Sequence, residues 1–311
     1  MLFDFSHNNI IFQNKYNIKL FYTETMSRDQ KITKYPLYPL YPFPKNDLEL
    51  EQDAKCSKLL HELMKKVWGG NFVSPIEQEL KNKKDFKVLD VGCGTTCSWI
   101  LELSKTYPLA KFIGLDLLTP LLPKDFSQNN LQFVQSDILK GLPFEDGSID
   151  FVHMRCLTAA FTERQWEEVV IKELVRVCKP GGWIELLEID VDGKSLGPTS
   201  KRIISACMAK FENRGVNGLI SEEIPEFFES TNQVEIYAEE KYSPIGNWGD
   251  ELGKLALDFF VSIFSSSDEL IEWIKVSKEE YEHMIAQYIK EVEIYRSYFI
   301  NIKFYCQKIT S

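Results

Sequence analysis

Carboxylates at the ends of apolar runs are the first residues in this 311-residue chain whose placement suggests chemistry. Lys87-Val-Leu-Asp90-Val-Gly92-Cys93-Gly94 closes an apolar run in a glycine-rich turn just ahead of helical sequence, an arrangement that lets a ligand approach the backbone closely. Taken alone, G-x-G also occurs in purely structural turns. A second run, Lys111-Phe-Ile-Gly-Leu-Asp116, ends in a carboxylate 22 residues after Gly94, where an acid can accept hydrogen bonds from two vicinal ribose hydroxyls. Gly92, Gly94 and Asp116 by themselves also fit an NAD-dependent oxidoreductase. Leu131-Gln-Phe-Val-Gln-Ser136-Asp137-Ile138 supplies a third carboxylate, which can accept from an adenine amino group. Three such strand ends in the right order are harder to obtain by chance than one, although Asp116 and Asp137 could each simply cap a helix or turn.

Candidate bases are His153, Glu185 and Glu188. Histidine titrates in the useful range, and His153 ends a fourth apolar run; a histidine bonded within the core is the competing reading. Glu185 and Glu188 lie three apart, so on a strand they point to opposite faces. Glu188, nearer the C-terminal end of its run, is better placed for a ligand. The planar fork of Arg155 can clasp a carboxylate of cofactor or substrate, or form a structural ion pair. Cys93 and Cys97 are spaced C-x3-C, but no second Cys/His pair lies nearby to complete a tetrahedral site, so no metal is expected.

The elements that must position these residues are legible as apolar periodicity. Strands are expected over 87–92, 111–116, 131–135, 149–154 and 182–189, with helices at about 97–106 and 163–178 between them. Strands joined by helical crossovers imply a doubly wound parallel sheet, an α/β architecture. Helices over 198–213, near 221–229, over 250–264 and over 278–294 follow, with edge-like alternating strands at 233–240 and 299–308. The segment between those two strands, about 246–296, is too patterned for a loop and is read as an inserted helical cap. Upstream, Asn46-Asp47 starts a helix that forms a lid with the residues up to 80, and the prolines of Tyr35-Pro-Leu-Tyr-Pro-Leu-Tyr-Pro-Phe-Pro44 favour an extended arm over residues 1–45. The sheet region, so divided, runs over 86–311.

Composition excludes several classes. A net charge of −10 repels phosphate backbones, which disfavours nucleic acid as a partner. No stretch of roughly 18 apolar residues occurs, and the N-terminus lacks the pattern of a signal peptide, so no membrane partner is expected. Seven widely spread cysteines suit reduced thiols. Together these lead to the expectation of an intracellular protein, cytoplasmic with the nucleus as the alternative.

The motifs carry a resemblance. Asp90-Val-Gly-Cys-Gly94, Asp116, Ser136-Asp137, Leu142-Pro-Phe-Glu-Asp-Gly-Ser-Ile-Asp-Phe151 and Glu173-Leu-Val-Arg-Val-Cys-Lys-Pro-Gly-Gly-Trp183 resemble the successive signatures of class I S-adenosylmethionine-dependent methyltransferases. Phe151-Val-His-Met-Arg155-Cys-Leu, Gly181-Gly-Trp-Ile-Glu-Leu-Leu-Glu188 and Trp68-Gly-Gly-Asn-Phe-Val-Ser-Pro75 are similar to fungal methyltransferases related to the velvet-complex regulators of secondary metabolism. The resemblance implies a Rossmann-like seven-stranded sheet with its last strand antiparallel, S-adenosylmethionine as cofactor, and a small-molecule or protein methyl acceptor. It also implies roles: Asp90, Gly92, Cys93 and Gly94 at the methionine portion, Asp116 and Leu117 at the ribose, and Ser136, Asp137 and Ile138 at the adenine. His153 and Arg155 would face the methionine carboxylate or the acceptor, with His153 and Glu188 as catalytic candidates.

One departure stands out. The family usually has a third glycine two positions after the second, where this chain has Thr96. A β-branched residue cannot adopt glycine's conformations cheaply. A second expectation therefore stands beside the enzyme: a regulatory protein that keeps the fold and the cofactor but acts through a protein partner.

Overall fold

The computed structural model describes residues 47–118, 120–122, 126–265 and 267–310. The extended arm expected over 1–45 lies outside the described residues. Seven strands form one sheet: β1 (Lys87–Val91), β2 (Lys111–Asp116), β3 (Leu131–Gln135), β4 (Ile149–Arg155), β5 (Cys178–Ile189), β6 (Val234–Pro244) and β7 (Tyr298–Lys308), in the order β3-β2-β1-β4-β5-β7-β6. The first five pair in parallel, and β7 runs antiparallel to both β5 and β6. This is the expected doubly wound sheet with an antiparallel last strand. The central strands are covered on both faces, which is why β1, β2 and β4 read as nearly unbroken apolar runs. The edge strand β6 alternates instead, with Glu235 exposed between half-buried Val234 and Ile236.

Helices cover both faces. α1 (Asp47–Trp68), α2 (Glu77–Asn82) and α3 (Ser98–Thr106) precede β2. The crossover from β4 to β5 is a helical run of α4 (Glu163–Gln165), a wider π-turn (Trp166–Val170) and α5 (Ile171–Val177), started by a capping box between Thr162 and Gln165. Periodicity had suggested one plain helix here. The π-turn opens where the large Trp166 ring is wholly buried edge-on to Phe161, at 5.2 Å between centroids. α6 (Pro198–Asn213) and α7 (Ile224–Ser230) lead into β6, and α8 (Asp250–Ser265), α9 (Asp268–Ile274) and α10 (Lys278–Tyr295) lie between β6 and β7. Two helices were expected in that last interval. The third, α9, has 7 residues, too few for a periodic signal, and is marked by the Ser267 side chain accepting from the Leu270 N–H.

The strand expected over 182–189 begins earlier, and the Lys179-Pro-Gly-Gly182 segment belongs to β5 itself. The pairing with β4 jumps from Ile149↔Cys178 to Phe151↔Trp183, so the extra residues are absorbed as a bulge. A Cβ at Gly182 would lie 2.8 Å from the Asp150 carbonyl oxygen, which explains the glycine.

Burial falls into two layers about the sheet and a third cluster in which Leu80 of α2 and Trp99, Ile100 and Leu103 of α3 pack with Val88, Phe112 and Phe151. Trp166, Leu174, Ile224 and Phe228 fill one face. Leu63 and Trp68 of α1, Ile203 of α6, Phe260 of α8 and Tyr288 of α10 fill the other against Phe299. On this second side sits a buried ion pair: Glu185 accepts from Val73 N, Ser74 N and Ser74 Oγ at 2.8–3.0 Å, and its other oxygen meets Lys303 Nζ at 3.0 Å. Lys303 Nζ in turn lies 4.7 Å from the Trp68 ring centroid. Among the described residues, no helix is long and apolar enough to cross a membrane, and no cluster of His, Cys, Asp or Glu could hold a metal. All seven cysteines are free thiols.

Candidate functional site

The loop between β1 and α3 turns tightly because Gly92 and Gly94 both adopt left-handed backbone, at φ of 70° and 73°. Residues with a Cβ rarely occupy this region. The Gly92 N–H donates to the Leu115 carbonyl, and the Gly94 N–H donates to Asp116 Oδ2 at 2.8 Å, so the turn is tied to the end of β2. Asp116 Oδ1 accepts from the Leu118 N–H at 2.9 Å, and the Leu117 amide also reaches the carboxylate. A carboxylate offers about four lone-pair directions, so these amides leave room for a further hydroxyl donor. Burial raises the Asp116 carboxyl above its usual range despite these bonds.

Beyond the strand ends lies a cleft of about 60 Å³ lined by Gly92, Asp116, Leu117, Ser136, Ile138, Leu157, Ala160 and Phe161 among others. One end offers carboxylate and backbone, the other the apolar surfaces of Ile138, Leu157 and Phe161. That division fits a nucleoside, with a ribose at the acid and a flat base between apolar walls. Leu157 packs directly over the glycine turn: a Cβ at Gly92 would fall 2.6 Å from Leu157 Cδ1.

The remaining candidate residues take varied places. The Cys93 side chain turns into the core, where its sulfur lies 3.6 Å from Cys97 Sγ, and the shared hydrogen bond and burial push its thiol well up. Asp137 caps the short turn Ile138–Lys140 by accepting from the Leu139 N–H at 2.9 Å, the capping alternative stated for it above. Asp90 and His153 are paired in register on β1 and β4, with His153 Nδ1 2.7 Å from Asp90 Oδ1. The imidazole is 2% exposed and stacks on Trp99 at 3.7 Å with the rings 3° from parallel. Burial lowers its pKa, outweighing the opposing pull of Asp90. His153 is not among the cleft-lining residues, so its geometry is that of the core histidine weighed in the sequence.

Glu188, the other catalytic candidate, is also wholly buried. Its Oε1 accepts from the Leu157 N–H at 3.0 Å, and its Oε2 accepts from the Thr158 N–H and hydroxyl at 3.0 and 2.6 Å. Glu185 and Glu188 do point to opposite faces, each into its own set of donors.

Helix α1 brings a group of residues that sequence reasoning missed. Thr95 Oγ1 donates to Asp53 Oδ2 at 2.6 Å, and Thr96 Oγ1 shares 2.8 Å hydrogen bonds with Ser57 and Ser98. Thr96 thus stands where a third glycine was expected because its hydroxyl fastens the loop to α1. One turn on, His61 Nδ1 accepts from Arg155 Nη2 at 3.3 Å, which leaves its Nε2–H to donate to Glu102 Oε2 at 2.9 Å. Burial, followed by Arg155, lowers the His61 pKa and favours this neutral form. Burial would raise the Glu102 carboxyl, but hydrogen bonds from Lys65, His61 and Asn71 hold it at about 2. No sequence signal marks these contacts, because a helix 40 residues upstream gives no hint of what its polar side meets. The walls Leu157, Ala160 and Phe161 could have been found, since they directly follow the fourth strand.

Residues 88–182 match a protein family described as a methyltransferase domain. The chain is 30% identical over 152 residues to the secondary metabolism regulator laeA of Coprinopsis cinerea, covering 48% of this chain and 36% of the relative. It is 30% identical over 164 residues to the N-methyltransferase verN of Clonostachys rogersoniana, covering 52% and 54%. The chain therefore spans roughly half or less of these curated relatives. Among solved structures, Haemonchus contortus phosphoethanolamine N-methyltransferase 2 in complex with S-adenosyl-L-methionine shares the fold, with a TM-score of 0.50 at 17% identity, over 86% of this chain and 59% of that one.

Proposed function

We propose that this chain, a relative of laeA and of fungal methyltransferases through its class I methyltransferase domain, transfers a methyl group from S-adenosylmethionine to a small-molecule or protein acceptor. The observation that carries the reading is the hydrogen bond from Gly94 N–H to Asp116, which locks two left-handed glycines beside a carboxylate at a cleft with one polar and one apolar end. In this reading Asp116 receives one ribose hydroxyl on its remaining lone pair, Ser136 and Ile138 meet the adenine, and the backbone of 92–94 faces the methionine portion. Arg155 spends one donor on His61, and the rest of its fork suits the methionine carboxylate.

The cofactor, when bound, supplies an activated methyl carbon on a sulfonium. What the chain must add is alignment of an acceptor on the far side of that carbon, with a base needed only when the acceptor loses a proton. His153 and Glu188 are both buried and hydrogen-bonded, so positioning is the contribution that the described residues can make. The same observation favours a second reading, a cofactor-binding regulator that acts through a protein partner. A labelled-methyl assay separates the two: transfer to a component of cell extract supports the enzyme, and binding without transfer supports the regulator. Titration calorimetry tests what both share. One equivalent of S-adenosylmethionine should bind with micromolar affinity, and correctly folded protein that takes up none at high micromolar concentration would remove both readings.

A further inference from the structure

The cleft wall formed by Leu157 is held from behind. β4 ends at Arg155, and the chain turns through Cys156 in left-handed backbone, φ 54°, its N–H donating to the Leu187 carbonyl at 2.7 Å. The next two amides, of Leu157 and Thr158, both end on the Glu188 carboxylate, and the Thr158 hydroxyl adds a third donor. We infer that Glu188 is a positioning residue whose ionised carboxylate clamps the 157–158 backbone and so sets Leu157 against Gly92, making the width of the nucleoside cleft depend on its charge.

The two oxygens are not equivalent. Oε2 holds two donors and Oε1 only the Leu157 N–H, so a proton arriving on the carboxylate goes to the free lone pair of Oε1 at least cost and removes the charge that strengthens the bond from that amide. Protonation therefore weakens the hold on the residue that forms the wall. Burial pushes the Glu188 carboxyl up to about 7, against the lowering effect of Thr158 and the two amides, with Asp190 adding a further push upward. The titratable groups facing it are Asp190, just past the end of β5, whose carboxyl is bonded to Ser221, and the Cys156 thiol; across the sheet β7 presents Ile302.

The sign of the effect separates it from general unfolding. A carboxyl whose pKa is raised in the folded state adds stability below its unfolded value of about 4.3 and loses it as pH rises towards 7. Lower pH thus favours the global fold through this group while loosening the clamp.

The inference rests on the cofactor reading for its consequence but can be tested without it. Hydrogen exchange in the free protein, corrected for intrinsic chemistry, should show protection of the Leu157–Thr158 amides falling from pH 8 to pH 6 in the wild type. Glu188→Gln, which places an amide N–H where the protonated oxygen would be, should show the low protection at both. Calorimetry with S-adenosylmethionine should follow the same pattern, wild type weakening towards pH 6 by roughly fivefold relative to the variant, the scale of one backbone hydrogen bond. Exchange in the wild type that matches Glu188→Gln at every pH overturns the inference. Should the wild type bind no cofactor, the function proposed above falls and hydrogen exchange alone decides the clamp. Should Glu188→Gln not fold, Thr158→Val serves instead: losing a donor to the ionised form must move the midpoint to higher pH, and an unmoved midpoint refutes the role.

Discussion

Replacing Gly92 with alanine is expected to abolish measurable S-adenosylmethionine binding at ordinary concentrations, with an affinity loss of roughly a hundredfold or more. Two penalties meet at this residue. Its φ of 70° lies in the left-handed region, where a Cβ costs about 1–2 kcal/mol. The new methyl would also fall 2.6 Å from Leu157 Cδ1, and overpacking of this kind costs about 1–3 kcal/mol. The strain is relieved by moving either the glycine turn or the Leu157 wall, and both border the cleft. Calorimetry gives the affinity and urea unfolding the stability. Pairing Gly92→Ala with Leu157→Ala removes the overlap and leaves only the backbone strain, so part of the stability should return. A single variant that binds within threefold of the wild type would mean that the turn does not face the cofactor.

The second large effect lies on the opposite face of the sheet. Replacing Glu185 with leucine is expected to destabilise the protein by about 3–5 kcal/mol, the usual cost of leaving a buried charge without its partner. Lys303 would then keep only the Trp68 ring beneath it. The reverse change, Lys303→Met, should cost less, because Glu185 retains the Val73 and Ser74 donors. Combining the two should recover only the part of the loss that comes from the stranded lysine, since the Val73 and Ser74 donors stay unpaired in the double variant. The pH dependence has a definite sign. Burial pushes the Glu185 carboxyl up, but Lys303, His153 and the amides of Ser74 and Val73 outweigh it and hold it low. Its stabilisation is therefore complete above the ordinary carboxylate range and lost as pH falls through the depressed folded value. That acid-side loss should be missing in Glu185→Leu. Equal costs for the two single variants would show that Glu185 is not the better satisfied partner.

The sheet was legible because its signal is local. Buried parallel strands write themselves as runs such as Val88-Leu-Asp-Val91, and crossover helices as 3.6-residue periodicity, so the strands and their doubly wound parallel arrangement could be anticipated, whereas the antiparallel β7 followed only from the family resemblance. Gly92, Asp116, Ser136 and Ile138, each at a strand end, could be singled out from the sequence in the same way and border the cleft. Side-chain chemistry was harder to read. His153 and Glu188 stand at sound positions for bases, but what each meets depends on residues 63 and 30 positions away, Asp90 and Thr158. Thr96 illustrates the same limit: judged against glycine it is a defect, and only the position of α1 makes its hydroxyl an anchor.

The threonine anchors also bear on the thermodynamics of ligand entry. A glycine-rich loop free in solution must be ordered by its ligand, and part of the binding energy is then lost to that ordering. Here Asp53 and Ser57 hold Thr95 and Thr96 from outside the cleft, while Gln52 and Cys56 on the same helix grip Ser262 of α8. The ordering entropy of the loop is spent during folding, against the whole cooperative stability of the domain. Association then draws on a surface already fixed, and tightening or loosening α1 changes affinity without touching a single atom that the ligand contacts.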